Sequence, residues 1–154
     1  MRPALATAAF LVAVGAAAGA CTSYQGSTLS SRLTGWNTTT RFWSQVDTVL
    51  ADARRVGVVE GTGDPAALRT DCVVLSDDTR GAYQLLPTPD ATLSAGLDQA
   101  LRLEQAAAGD CYTAASGDRS LLARADDERA RATVALGAAR SLYDRLTSPV
   151  GSTG

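Results

Sequence analysis

The chain has 154 residues and a formal net charge of −2, it contains no histidine, and every basic residue is arginine. Set apart from its first twenty residues, it is one domain's worth of chain, long enough for a single core. The charge pattern has no basic block and no arginine–aromatic stripe, which argues against nucleic acid as a partner. Without histidine there is also no Ser-His-Asp or Cys-His nucleophile and no Glu-x-x-His metal motif.

The first element is MRPALATAAFLVAVGAAAGAC. Arg2 and the amino terminus are positive, Leu5 to Gly19 is apolar and uncharged, and Ala18, Gly19 and Ala20 are small. That order reads as an export signal over residues 1–20. The run is too short and too rich in Ala and Gly for a permanent transmembrane helix, which needs roughly 20 strongly apolar residues. Ala18 and Ala20 fit an A-x-A cleavage site, which would release a soluble secreted protein. Ala18-Gly19-Ala20-Cys21 also resembles the lipobox of bacterial lipoproteins, with Ala18 where that family usually has a large aliphatic. The resemblance implies that the Cys21 thiol receives a diacylglyceryl group and becomes the first residue of a membrane-anchored protein. Together with the Ala-rich, Arg-only composition, the leader resembles those of small actinobacterial lipoproteins.

Cysteine number fits lipidation. Of the three cysteines, Cys21, Cys72 and Cys111, an acylated Cys21 leaves two to pair in an oxidising compartment. Residues 21–35, rich in Ser, Thr and Gly, read as a flexible tether, and 36–147 as the folded domain.

Periodicity near 3.6 predicts four helices there. The first spans about Trp36 to Val56, with Thr39, Phe42, Val46, Val49, Ala53 and Val56 as its stripe. Phe42 and Trp43 read as core; Trp36 reads as packing on the end of the domain, with a membrane-interface contact or a partner surface as the alternatives. The second begins at Asp64-Pro65, a cap followed by proline, and aligns Leu68, Cys72, Leu75, Thr79 and Ala82. The third begins at Thr88-Pro89-Asp90, aligns Leu93, Leu97, Ala100, Leu101, Ala107 and Ala108, and stops at Gly109 with Cys111 just beyond. The fourth begins after Asp118 and aligns Leu122, Ala125, Ala132, Leu136, Ala139, Tyr143 and Leu146; residues 148–154 read as a disordered tail. Four amphipathic helices with short connections predict an all-α, antiparallel up-down four-helix bundle stapled by Cys72–Cys111.

Most charges read as solvated pairs, among them Asp127–Arg131, Arg140–Asp144 and Asp126–Arg129. Glu104 is different, because it sits in the middle of the third helix's apolar stripe. Glu128 and Arg129 flank the stripe of the fourth, and the three form a candidate inward polar cluster. Glu104 has three readings: it snorkels to solvent, it pairs with Arg129, or it belongs to a metal or catalytic carboxylate site. No catalytic residue, metal ligand or cofactor is assigned. The expected function is a non-enzymatic, membrane-tethered accessory module. It is held to the membrane through the lipid on Cys21 and binds another protein of the cell envelope. The alternatives are a small-molecule or lipid-binding bundle, a soluble secreted protein and, last, a carboxylate enzyme.

Overall fold

The computed structural model describes residues 27–148; the leader, Cys21 and residues 149–154 lie outside them. The described chain is all-helical, with helices α1 (Leu29–Thr40), α2 (Phe42–Glu60), α3 (Pro65–Tyr83), α4 (Ala91–Ala114) and α5 (Arg119–Thr147).

The first helix is a correction to the expected tether, since residues 29–35 are helical. Thr28 caps α1 by accepting from the Ser31 amide, and Leu29, Leu33 and Trp36, spaced four and three apart, turn one face inward. The segment has poor intrinsic propensity and no long stripe, so the burial of Leu33 holds it helical where local sequence does not. The expected single helix over 36–56 is also broken. Arg41 adopts a left-handed conformation at φ 54°, although it is not a glycine. Its amide donates to the Asn37 carbonyl at 2.7 Å, and the Asn37 side chain accepts from the Trp43 amide at 3.1 Å. Thr39, expected on the buried stripe, is exposed because the chain turns before α2.

The other caps follow their chemistry. Asp64 accepts from the Ala66 and Ala67 amides, and Asp118 from those of Ser120 and Leu121. For α4 the cap is Asp90, which accepts from the Leu93 amide. Thr88, the expected cap, instead accepts from Asp90 N–H and packs its hydroxyl against Ser94. α4 also continues past Gly109 to Ala114, so Cys111 lies inside the helix and not beyond it. The exposed glycine costs about 1 kcal/mol in a helix interior, and four buried residues around and after it, Ala107, Ala108, Cys111 and Ala114, hold the helix through it.

Neighbours in sequence are neighbours in space: α2 packs on α3, α3 on α4, and α4 most extensively on α5. Pairings between α3 and α4 run in opposite directions along the two helices, from Cys72–Cys111 through Ser76–Gln105 to Tyr83–Asp98. α2 and α5 meet mainly through side chains: Glu60 with Arg129, Asp47 with Arg140, and Trp43 with Tyr143. α1 lies near the last turn of α5, where the Ser30 hydroxyl donates to the Thr147 carbonyl. The core combines valine from α2 with leucine from α1, α3, α4 and α5, with aromatic rings near α1 and alanine along α4 and α5.

Candidate functional site

Cys72 in α3 and Cys111 in α4 are bonded to one another, with Cα atoms 5.9 Å apart and both side chains fully buried. Cys21, the expected lipidation site, lies outside the described residues.

The three residues of the expected polar cluster do not form one. Glu104 is completely buried, so the snorkelling reading fails. Its period-3.6 position between Ala100, Leu101, Ala107 and Ala108 turns it into the core, and neither carboxylate oxygen has a hydrogen-bond partner. Burial pushes its carboxyl up to about 7, against the opposing pull of the Arg129 charge. An acid in this position changes charge near neutral pH.

Arg129 is buried as well, but it hydrogen-bonds elsewhere. Its Nη2 donates to both oxygens of Glu60 at 2.8 and 2.9 Å and also to Asp126, while Nη1 is buried without a partner. Burial raises the Glu60 carboxyl, and the hydrogen bond from Arg129 holds it back. Glu128 is only partly buried; burial and nearby Asp110 raise its carboxyl, and it makes no contact that joins it to Glu104. Arg129 is therefore joined to half-buried Glu60 and to exposed Asp126, and its charge also reaches Glu104.

Sequence reasoning missed Glu60 because Val-Val-Glu-Gly-Thr-Gly reads as a helix-ending loop. In the structure α2 runs through it, and the last helical turn aims Glu60 at α5. Asp52 was missed too. It lies at the i+3 position from Val49 and is buried, bound to Arg55 at 2.9 Å. Burial raises its carboxyl, and so does a hydrogen bond shared with Asp78. Asp78 itself accepts from Gln45 and lies at the α2–α3 seam, while its neighbour Asp77 is exposed and pairs with Arg80.

The α1 end is built differently. Phe42 is fully buried with Trp36 on one side, ring centroids 4.9 Å apart, and Trp43 on the other at 5.3 Å. The Trp36 indole donates to the Leu85 carbonyl, which fixes it as end packing. Arg140 does not pair with Asp144. Its guanidinium lies 4.6 Å from the Trp43 ring centroid and binds Asp47, because the α2–α5 seam offers a ring and an acid together. The pairs Asp127–Arg131 and Asp126–Arg129 do form.

The surface carries shallow grooves. One of about 380 Å³ lies between α3 and α4 over Thr79, Tyr83, Arg102 and Gln105. There Tyr83 donates to Asp98 and Arg102 bridges both, and the Arg102 and Tyr83 hydrogen bonds hold the Asp98 carboxyl below the usual range. A second groove, of about 300 Å³, opens between the 61–64 and 115–118 turns, lined by Val59, Glu60, Leu68, Ala115 and Leu122. Among the described residues no group of three or more Cys, Asp and Glu is placed to hold a metal. No described helix is long and apolar enough to cross a membrane.

Compared with protein-family models, with curated proteins and with solved structures, the chain matches none.

Proposed function

We propose that this protein is an exported lipoprotein, a non-enzymatic helical module that the lipid on Cys21 holds at the outer face of the cytoplasmic membrane. The observation that carries the reading is the leader ending in Ala18-Gly19-Ala20-Cys21, taken with the pairing of the other two cysteines. Cys72 and Cys111 satisfy each other, which leaves Cys21 as the odd thiol. Acylation removes it as a liability in an oxidising compartment. Two acyl chains on one residue anchor stably, where a single chain binds only marginally.

Domain geometry fits an anchor at this end. Residues 22–28 separate Cys21 from α1, a span of at most roughly 28 Å when fully extended. The domain then stands beside the headgroups with the α1 end nearest to them. We read its five helices as an up-down bundle in which α2 to α5 are the four staves and α1 covers one end. The opposing pairings of α3 with α4 support that reading. Another envelope protein is the expected partner, bound through an outer helix face.

The test is the intact mass of the protein purified from its own host, measured with and without reduction. A chain that begins at Cys21, carries a diacylglyceryl mass and gains two hydrogens on reduction supports the proposal. A chain beginning at Cys21 without lipid overturns it in favour of soluble secretion.

A further inference from the structure

Arg129 stands between two carboxylates that belong to different helices. Its hydrogen bonds all leave from Nη2, to Glu60 on α2 and to Asp126 on its own helix, while buried Nη1 has no acceptor. Glu104 on α4 is fully enclosed, and both its oxygens lack a donor. Register brings the two near one level: α4 and α5 meet at Asp110–Arg124, Glu104 lies six residues before Asp110 on α4, and Arg129 lies five residues after Arg124 on α5. The charged groups on the helices around Glu104 include Asp52 and Glu60 on α2, Asp78 on α3, and Glu128 and Arg129 on α5. Of these, the Arg129 charge is the one that acts on it.

A buried guanidinium nitrogen without an acceptor and a buried carboxyl without a donor are each costly, and each could relieve the other. The protonation state of Glu104 decides how strongly it attracts that cation. A neutral carboxyl competes poorly with the Glu60 carboxylate for a cation; an ionised one, deeper in the protein, competes well. We propose that Arg129 is a two-position latch, bound to Glu60 when Glu104 is protonated and turned to Glu104 when that proton is lost to water. In the first position it fastens the end of α2 to α5. In the second it releases Glu60, which lines the groove between the two interhelix turns with Val59, Leu68, Ala115 and Leu122. Proton concentration then sets how firmly that end of the molecule is closed. The latch does not depend on lipidation, and its failure would leave the anchoring proposal untouched.

The chain has three glutamates, Glu60, Glu104 and Glu128, so carboxyl-carbon NMR with glutamate labelling resolves them in the full-length protein. Titration is followed from about pH 5 to about pH 9, in the wild type and in Glu60→Gln. In the wild type Glu104 titrates near 7, and the Glu60 signal shifts with the same midpoint as its cation leaves. In Glu60→Gln the rival is gone, and the Glu104 midpoint falls by about one unit, a tenfold drop in proton affinity. A Glu104 midpoint unmoved by Glu60→Gln overturns the latch, since Arg129 is then permanently committed. If that variant does not fold, the wild type decides alone: a Glu60 signal with no inflection where Glu104 titrates overturns the proposal equally.

Discussion

The end of the molecule under α1 and the middle of α4 and α5 solve the same packing problem in opposite ways. Under α1, four rings from Trp36, Phe42, Trp43 and Tyr143 fill the interior in tilted and edge-to-face contacts. Arg140 lies over one of those rings with its charge matched by Asp47. Along α4 and α5 the inward positions are largely alanine, and Glu104 and Arg129 lie among them. Rings bury a large apolar area, so the first region is held by packing. Alanine lets helices approach closely but contributes little burial, so the second region depends on a covalent bond and on the state of one proton.

Substitutions sharpen this contrast. Phe42→Ala removes a fully buried ring between two indoles and is expected to cost about 3–5 kcal/mol in urea unfolding. A loss below about 1 kcal/mol would mean that the aromatic end does not carry the fold. Replacing Cys72 and Cys111 together by serine opens a link between residues 39 apart and is expected to cost up to about 4 kcal/mol. Hydrogen exchange should then rise along α3 and α4 while α1 keeps its protection. Equal loosening of both regions would break the comparison.

Stability also depends on pH through Glu104, whose carboxyl is raised from 4.5 to about 7 in the folded protein, so the folded state binds a proton more tightly than the unfolded chain. Stability is full below about 4.5, falls as pH rises toward 7, and is lower by about 3 kcal/mol above that. Glu104→Gln keeps the shape and removes the ionisation, so its unfolding midpoint should lose this decline. A wild-type protein equally stable at both ends of the window would mean that folding does not raise the Glu104 carboxyl. The smallest effect belongs to Arg140→Gln. Both partners of its pair with Asp47 are substantially exposed, and the loss, ring contact included, should stay within about 1 kcal/mol.

Periodicity made α3 fully legible, since the five residues it aligned, Leu68, Cys72, Leu75, Thr79 and Ala82, are its buried residues. It also put Glu104 in the core, because a residue in the middle of a stripe has nowhere else to point. It failed where tertiary contact outvotes local preference. Nothing in Ser-Ser-Arg-Leu-Thr-Gly announces a helix, and nothing in Thr-Arg-Phe announces a left-handed residue; both depend on Asn37, Leu33 and the rings they meet. Choice of ion partner was equally illegible. Arg129 has an acid three residues away and takes it, yet its main partner is Glu60, 69 residues distant, which a one-dimensional pattern cannot reveal. Gly109 misled for the same reason, as burial of Cys111 carries α4 through it.

The left-handed Arg41 has a consequence for where the domain can be cut. By folding the chain back, it lays α1 against α5, whose last turns carry the partly buried Leu142, Tyr143 and Leu146. A chain shortened to begin at Trp36 would keep every predicted helix and still lose Leu29 and Leu33. It would present a patch of bare leucine and tyrosine to solvent, the kind of surface by which proteins associate and precipitate. A piece that keeps the α1–α5 contact starts at the Thr28 cap.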